Sequence, residues 1–156
     1  MLRGVQVVVS GAALAAIMLA GAGVAWAQEP AAAAPAQEPE KPVLPLEGDA
    51  VVITVLIKAD KTADFERVIA KYKESFEKSE KATRKQQLAG LKFFKSNQQA
   101  QGNAVYIFYV DPVVPNEEYD ISRVIAEVFP TEVQDIFNLY KDSFAGRAIT
   151  SLNRVQ

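Results

Sequence analysis

The segment that most limits the possible folds is VVITVLIK, residues 51–58. Its β-branched and aliphatic side chains occupy both sets of alternating positions, so the segment predicts a strand rather than an amphipathic helix. A strand that is apolar on both sides needs cover on both sides. The chain must therefore supply a sheet and a further layer within 156 residues, a length that allows one modest domain.

The segments that follow alternate between helical and extended patterns. Phe65, Tyr72 and Phe76 recur at helical spacing, and AVYIFYV, residues 104–110, is the strongest strand signal in the chain. The short polar turn at 98–103 indicates an antiparallel hairpin. The predicted elements begin with a strand over 51–58, a helix from Thr62 to about Lys81, and strands over 88–95 and 104–110. A helix capped by Asp120 or Asn116 and ended by Pro130 follows. The next helix starts with a capping box at 131–134 and stops at Gly146, and a short closing strand over 148–155 ends the domain.

Residues 1–27 predict a secretory signal peptide. Arg3 is the only charge before a long apolar run, which ends in Ala25-Trp26-Ala27, with small residues at the two positions that a signal peptidase recognises. The alternative is an uncleaved membrane anchor, because residues 7–27 would make a helix of about 31 Å, long enough to span a bilayer. The Ala-rich and Gly-rich composition and the A-x-A ending favour cleavage after Ala27 and export to the periplasm or the medium.

Residues 28–49 differ in composition from everything that follows. They hold five of the eight prolines and five acidic residues against one lysine, a net charge of −4. Such a segment buries too little apolar surface to offset the entropy cost of ordering, so we expect a disordered linker. A proline-rich recognition ligand is the alternative, with Pro39-Glu40-Lys41-Pro42 as its candidate. Residues 50–156 form the predicted α+β domain.

The chain has no cysteine and no histidine. The first absence excludes disulfides, thiolate catalysis and a cysteine-ligated zinc site, and the second excludes Ser-His-Asp and Cys-His catalysis and a histidine-ligated haem or metal. The sequence also lacks a Gly-rich phosphate loop, a Walker motif and a G-x-S-x-G elbow. Any enzyme built on this chain would work with Tyr, Lys, Arg, Asp or Glu alone, and we expect no cofactor.

The order strand-helix-strand-strand-helix-strand resembles the ferredoxin-like order of an α+β fold, with an antiparallel sheet covered by helices on one face. With the segment VYIFYVDP, residues 105–112, this order over residues 50–156 resembles the dimeric α+β barrel superfamily. The resemblance implies a homodimer whose two sheets join across a two-fold axis. Members of the superfamily include cofactor-free monooxygenases, isomerases, haem-binding enzymes and non-catalytic stress proteins. The lack of histidine excludes the haem-binding type, and no functional residue carries over from the others.

Five residues form the ligand site that the sequence suggests. Tyrosines near a carboxylate could line a pocket for a planar apolar ligand, and an arginine could hold a ligand carboxylate through two hydrogen bonds. The candidates are Tyr106, Tyr109, Asp111, Tyr119 and Arg123. The alternative, which we favour, is that the tyrosine rings pack in the core with their hydroxyls at the surface, and that Arg123 joins a surface ion pair.

Two charged clusters also have functional and structural interpretations. The acidic residues between 111 and 120 could hold a cation, but they lack an EF-hand pattern and precede a helix whose dipole favours acids, so we predict no metal site. The basic residues between 78 and 95 could form a solvated helix end, contact anionic lipid or cell-wall polymer, or attract an oppositely charged part of a second subunit. The first interpretation is favoured, and no nucleic-acid motif accompanies these residues.

Two functions follow from these observations. The first is an exported, non-catalytic module, a homodimer that binds a partner protein or a small ligand, with membrane contact only if the N-terminal segment stays uncleaved. The second is a cofactor-free enzyme, similar to a monooxygenase or an isomerase, that acts on a hydrophobic small molecule. The missing nucleophile–base pairs favour the first.

Overall fold

The computed structural model describes residues 41–155. The predicted signal peptide and residues 28–40 of the predicted linker lie outside this range. The elements within it are β1 (Ala50–Lys58), a 3-10 turn (Ala59–Lys61), α1 (Thr62–Lys78), α2 (Ala82–Gly90), β2 (Leu91–Ala100), β3 (Asn103–Val110), α3 (Ile121–Val128), α4 (Val133–Ser143) and β4 (Phe144–Leu152). The predicted α+β class is confirmed.

The four strands form one antiparallel sheet in the order β2-β3-β1-β4. α1 and α2 connect β1 to β2, and α3 and α4 connect β3 to β4. Each connection therefore passes over one intervening strand. The two segments with the strongest strand signals, β1 and β3, occupy the two central positions and pair from Val51↔Val110 to Lys58↔Asn103.

The helices cover one face of the sheet, which we call the covered face. Val51, Ile53, Val55 and Ile57 of β1 point to it and are at most 5% exposed. Phe65, Val68, Tyr72 and Phe76 of α1 and Val124 and Ile125 of α3 complete this core. The helical spacing of the α1 residues thus predicts their burial correctly, because one stripe of a helix suffices to cover a sheet.

In the central part of the sheet, from Val52 to Leu56 and the positions paired with them, the opposite face carries eleven residues, none of which is buried. We call it the open face, and its residues are Val52, Thr54, Leu56, Lys92, Phe94, Val105, Ile107, Tyr109, Gly146, Ala148 and Thr150. Phe94, Ile107, Thr54 and Ala148 lie side by side across the four strands. Residues 41–155 therefore cover β1 on one of its two apolar sides.

The sequence does not predict the helix α2, and it predicts a strand over 88–95 that overlaps the end of this helix. That strand starts at Leu91 and continues to Ala100, so the predicted turn at 98–103 shrinks to residues 101 and 102. The reason is that α2, ATRKQQLAG, has no apolar stripe. It buries Arg84 and Gln87 instead, which hydrophobic periodicity does not detect.

Two predicted helix boundaries are also wrong. Glu132 precedes α4 and no side chain caps that helix, so the predicted capping box does not form. Gly146 lies inside β4, which follows α4 directly, and a register shift between Leu56 and Ile57 accommodates the change of direction. By contrast, the predicted Asp120 cap is confirmed, since its carboxylate accepts from the backbone N–H groups of Ser122 and Arg123 at 3.0 and 3.1 Å.

Residues 41–49, which composition assigns to the linker, contact the domain. Glu118 accepts from the backbone N–H of Val43 at 2.7 Å and of Leu44 at 3.0 Å, and Tyr119 N donates to Leu44 O at 3.1 Å. Leu46 is 4% exposed. The three aliphatic residues in this stretch explain the contact, because they supply apolar surface that composition averaged over 28–49 conceals.

Candidate functional site

Tyr106 lies on the covered face. Its ring meets Phe65 edge to face at 4.9 Å between centroids, and its hydroxyl donates to Glu66 Oε1 at 2.8 Å. Lys95 Nζ donates to the same oxygen, also at 2.8 Å. Burial, with Glu66 as the second cause, raises the pKa of Tyr106. The ring packs in the core, as the favoured structural interpretation predicts, and the buried residue's hydroxyl bonds to the exposed side chain of Glu66.

Tyr109 and Asp111 lie together at the end of the open face. Tyr109 donates to Asp111 Oδ2 at 2.9 Å, and Arg154 Nη2 contacts Asp111 Oδ1 at 3.0 Å. The hydrogen bond from Tyr109, followed by that from Arg154, lowers the pKa of Asp111, and Asp111 raises the pKa of Tyr109. Both shifts move the groups away from neutral pH, where a general acid or base works best.

Tyr119 and Arg123 lie elsewhere. Tyr119 is 2% exposed, its carbonyl accepts from Tyr72 OH at 2.8 Å, and its hydroxyl accepts from Val114 N at 2.9 Å. Arg123 is an exposed residue of α3 at a charged cleft. The five candidates therefore do not converge: Tyr109 and Asp111 meet, Tyr106 faces the opposite side of the sheet, and Tyr119 supports the loop before α3.

The charged cleft is built around Arg84, one of the basic residues that the sequence analysis assigns to a solvated helix end. Arg84 is instead 2% exposed. Its guanidinium donates to Glu127 Oε2 at 2.8 Å, to Gln87 Oε1 at 2.6 Å and to the carbonyl of Glu118 at 2.9 Å. Lys81 also contacts Glu127, at 2.6 Å. Sequence could not reveal this network because its members come from separate segments.

This cleft has a volume of about 840 Å³ and is lined mainly by charged side chains. Burial opposes ionisation of Glu127, but hydrogen bonds from Arg84, Lys81 and Ser79 outweigh it and lower its pKa to about 2. None of the three candidate tyrosines lines the cleft. Since the donors of Arg84 already have acceptors within the chain, the network ties α2 to α3 and the loop before it.

The acidic residues between 111 and 120 have structural roles. Glu118 accepts backbone N–H groups from residues 43, 44 and 120, Asp120 caps α3, and Glu117 lies 3.4 Å from Arg84. Among residues 41–155, no group of three or more carboxylates is arranged to hold a metal ion. Glu118 and Asp120 therefore organise the start of α3, whereas Asp111 bonds to Tyr109 and Arg154.

The open face is the remaining candidate, and it is the largest. Lys92 is the only charged residue among its eleven positions, and Phe94 is 53% exposed. Four strands spaced about 4.8 Å apart, over the roughly five residues from Val52 to Leu56 at about 3.3 Å each, make a surface of roughly 300 Å². The largest apolar patch on a typical soluble monomer is of about this size and is often functional. Chemically this surface can bury apolar groups and has one polar corner, formed by Tyr109 and Asp111.

Comparisons with protein-family models, with curated proteins and with solved structures give no match to this chain. Across residues 41–155, no helix is both long and apolar enough to span a membrane.

Proposed function

We propose that this chain is an exported, non-catalytic α+β module that works as a homodimer and binds its partner or a small apolar ligand through the open face. The observation that carries the proposal is the open face itself. Ten of its eleven residues are uncharged, and none is buried by the described residues of one chain. Leaving such a surface in water is unfavourable by about 25 cal/mol for each Å² of apolar area.

A second copy of the chain is the occupant that fits best. A face of roughly 300 Å² on each copy would bury on the order of 600 Å² in total, the size of a weak interface, so we expect a concentration-dependent dimer. The two-fold symmetry of a homodimer requires a self-complementary surface, and an apolar centre with Lys92 towards one end and Lys58 towards the other meets this requirement. A small apolar ligand would then lie between the two sheets.

The sheet order supports a ferredoxin-like arrangement for this module. Each helical connection joins two strands with one other strand between them, as in two interlocked β-α-β units. The chain departs from the simplest form of that order because each connection contains two helices. We propose the arrangement, and the resemblance to dimeric α+β barrels, on this order.

The alternative is a cofactor-free enzyme that acts on a hydrophobic small molecule. One observation supports it: Tyr109 and Asp111 place a hydroxyl and a carboxylate beside the open face. Their pKa values, raised for Tyr109 and lowered for Asp111, favour a structural pair instead. If the alternative holds, Asp111→Asn should abolish turnover of a substrate while circular dichroism stays unchanged.

The homodimer is tested by native mass spectrometry and sedimentation velocity on protein recovered from the exported fraction of expressing cells. Wild-type protein should have the mass of two or more chains that begin at Gln28. Ile107→Lys places a charge at the centre of the open face and should lower that mass by abolishing association through the open face, because a buried unpaired charge opposes association. Ala70→Lys adds the same charge on the exposed surface of α1 and should leave the dimer intact.

Three outcomes would contradict parts of the proposal. A wild-type monomer at all concentrations removes the homodimer. An assembly mass that Ile107→Lys leaves unchanged from wild type, with unchanged circular dichroism, removes the open face as an interface. A chain that begins at Met1 contradicts the predicted cleavage of the signal peptide. Additional small-molecule mass on the wild-type protein would identify the class of ligand.

A further inference from the structure

The two edges of the sheet differ in a way that points to a second contact surface. An edge strand presents unpaired backbone N–H and C=O groups, and proteins usually protect it with charges, lysines, bulges or covering elements. β2, at one edge, carries Lys92 and Lys95, and its pairing with β3 is interrupted between Lys95 and Gln99. The segment after Lys95 is polar, SNQQ. This edge is protected by the usual means.

β4, at the other edge, is less protected, and the irregularity in its pairing with β1 lies at its start, between Phe144 and Gly146. Its sequence, FAGRAITSL, contains no proline, no lysine and one charged residue, Arg147. From Arg147 to Leu152 every residue is exposed, so the helix layer does not extend over this strand. Ile149 is 41% exposed on the helix side and Leu152 is 39% exposed. Exposed apolar residues on an open edge make β4 a template for another strand.

We propose that β4 pairs with β4 of a second copy of this chain, antiparallel, about a two-fold axis at Ile149. The regular part of β4 is the seven residues from Gly146 to Leu152, which pair with β1 without interruption. Ile149 is the centre of this segment. A two-fold axis there uses all seven residues and joins two four-stranded sheets into one sheet of eight strands.

This register is self-complementary. Ile149 lies opposite Ile149 of the second copy, so an exposed apolar side chain covers its own equivalent. Arg147 lies opposite Ser151, which keeps the two guanidinium groups apart, and Ala148 lies opposite Thr150. Every pair in this register joins residues of the same face, as antiparallel pairing requires. A register centred on Arg147 would place like charges directly opposite each other, which is destabilising.

The contact is separate from the dimer proposed above, because it uses the edge of β4 and the helix-side residue Ile149 rather than the open face. It therefore does not rest on that proposal. If both contacts form, the edges join open-face dimers into larger assemblies. If only the edge contact forms, the protein is an edge-paired dimer.

The chain contains no cysteine, so single cysteine variants of the full chain report the register directly. Opposed residues of an antiparallel pair have Cα atoms about 4.5–5.5 Å apart, within the range of a disulfide. Under mild oxidation Ile149→Cys should give a covalent dimer. Arg147→Cys is the matched control, because its two copies would lie roughly 13 Å apart along the strands and could not bridge. The double variant Arg147→Cys with Ser151→Cys should restore linking.

A second variant tests the contact without oxidation. Ile149→Arg places two like charges opposite each other at an exposed position, so the fold should persist while the edge contact is lost. Both experiments are repeated in the Ile107→Lys background, where linking through Ile149→Cys should be unchanged although open-face association is lost. The proposal is overturned if Ile149→Cys links no faster than Arg147→Cys. It is also overturned if Ile149→Arg leaves the assembly mass unchanged in that background.

Discussion

The two faces of β1 are built from similar residues and have opposite surroundings. On the covered face Val51, Val55 and Ile57 are at most 1% exposed, beneath α1 and α3. On the open face Val52 and Leu56 remain partly exposed, although they belong to the same strand. Apolar side chains alone therefore do not decide which face of a strand one chain buries. Which face is buried depends on the helices, which here pack against the covered face.

This difference has a functional meaning. A strand with one face in water usually carries polar residues on that face and apolar residues on the buried face. Polar and apolar residues therefore alternate along the strand with period 2. The open face departs from that pattern in β1 and β3, the two central strands. The departure is costly for an isolated chain and is offset when a second surface covers it. The comparison therefore supports an assembly, and variants matched across the two faces can test it.

The largest difference should come from removing an aromatic ring on each side. Phe65 is fully buried on the covered face, so Phe65→Ala should cost about 3–5 kcal/mol of unfolding free energy through lost burial and a cavity. Phe94 on the open face is 53% exposed, and Phe94→Ala should cost less than about 1 kcal/mol. Urea unfolding at two protein concentrations measures both, since association adds concentration-dependent stability. Equal losses at the lower concentration would refute the distinction between the faces.

A smaller difference should come from exchanging a methyl group and a hydroxyl in β1. Val55 is 1% exposed, so Val55→Thr buries an unpaired hydroxyl and should cost about 1–3 kcal/mol. Thr54, the next residue, lies on the open face, and Thr54→Val should change the stability of the single chain by less than about 0.5 kcal/mol. It should strengthen association, because it adds apolar surface to the open face. If Thr54→Val instead destabilises the single chain, the Thr54 hydroxyl has a hydrogen-bond partner, and the open face is not the purely apolar surface described above.

The sequence could predict the central strands and α1 because their signals are local. VVITVLIK and AVYIFYV each reveal a strand within one segment, and Phe65, Tyr72 and Phe76 reveal the buried stripe of α1. The helix α2 was missed because its buried residues, Arg84 and Gln87, are polar. Polar residues become buried when distant segments provide hydrogen-bond partners, and hydrophobic periodicity has no access to those partners.

The candidate site could be predicted less well for the same reason. Core packing holds for Tyr106 and Tyr119, whereas Tyr109 lies partly exposed on the open face. Period 2 along β3 predicts that Tyr106 and Tyr109 lie on opposite faces, but it does not predict the hydrogen bond from Tyr109 to Asp111. The Arg84–Glu127 contact joins residues 43 positions apart in the sequence, and no local pattern marks it.

The acid dependence of stability should also differ between the covered side and the open side. Glu127, which helps to hold α2 and α3 together, has a folded pKa of about 2, below its ordinary value of 4.5. A depressed pKa adds stability that is fully present above the ordinary pKa and is lost as the pH falls toward the folded pKa. Glu127→Gln should therefore be less stable at pH 7 and show a flatter decline between about pH 5 and pH 2. The effect is reduced by solvent screening, because the Glu127 side chain is 23% exposed.

Asp111 is the matched carboxyl beside the open face. Tyr109 and then Arg154 lower its pKa, so the sign of its pH dependence is the same. Arg154 is 74% exposed and solvent screens this contact, so Asp111→Asn should alter the acid profile less than Glu127→Gln. Urea unfolding at several pH values between 2 and 7 gives both profiles. A larger change for Asp111→Asn would mean that the open end of the sheet contributes more to the fold than the Arg84 network.

The smallest difference concerns one hydroxyl on each side of the sheet. Tyr72 OH donates to the carbonyl of Tyr119 at 2.8 Å, and both residues are 2% exposed. Tyr72→Phe leaves that buried carbonyl without this donor and should cost about 1 kcal/mol. Tyr109→Phe removes the hydrogen bond to Asp111 at a partly exposed position, where water can replace it, and should cost less than Tyr72→Phe. Replicate urea titrations at the lower protein concentration resolve this difference. If Tyr109→Phe loses more unfolding free energy than Tyr72→Phe, the hydrogen bond between Tyr109 and Asp111 is already rigid in the single chain. A ligand or partner that binds at this corner would then not need to order it.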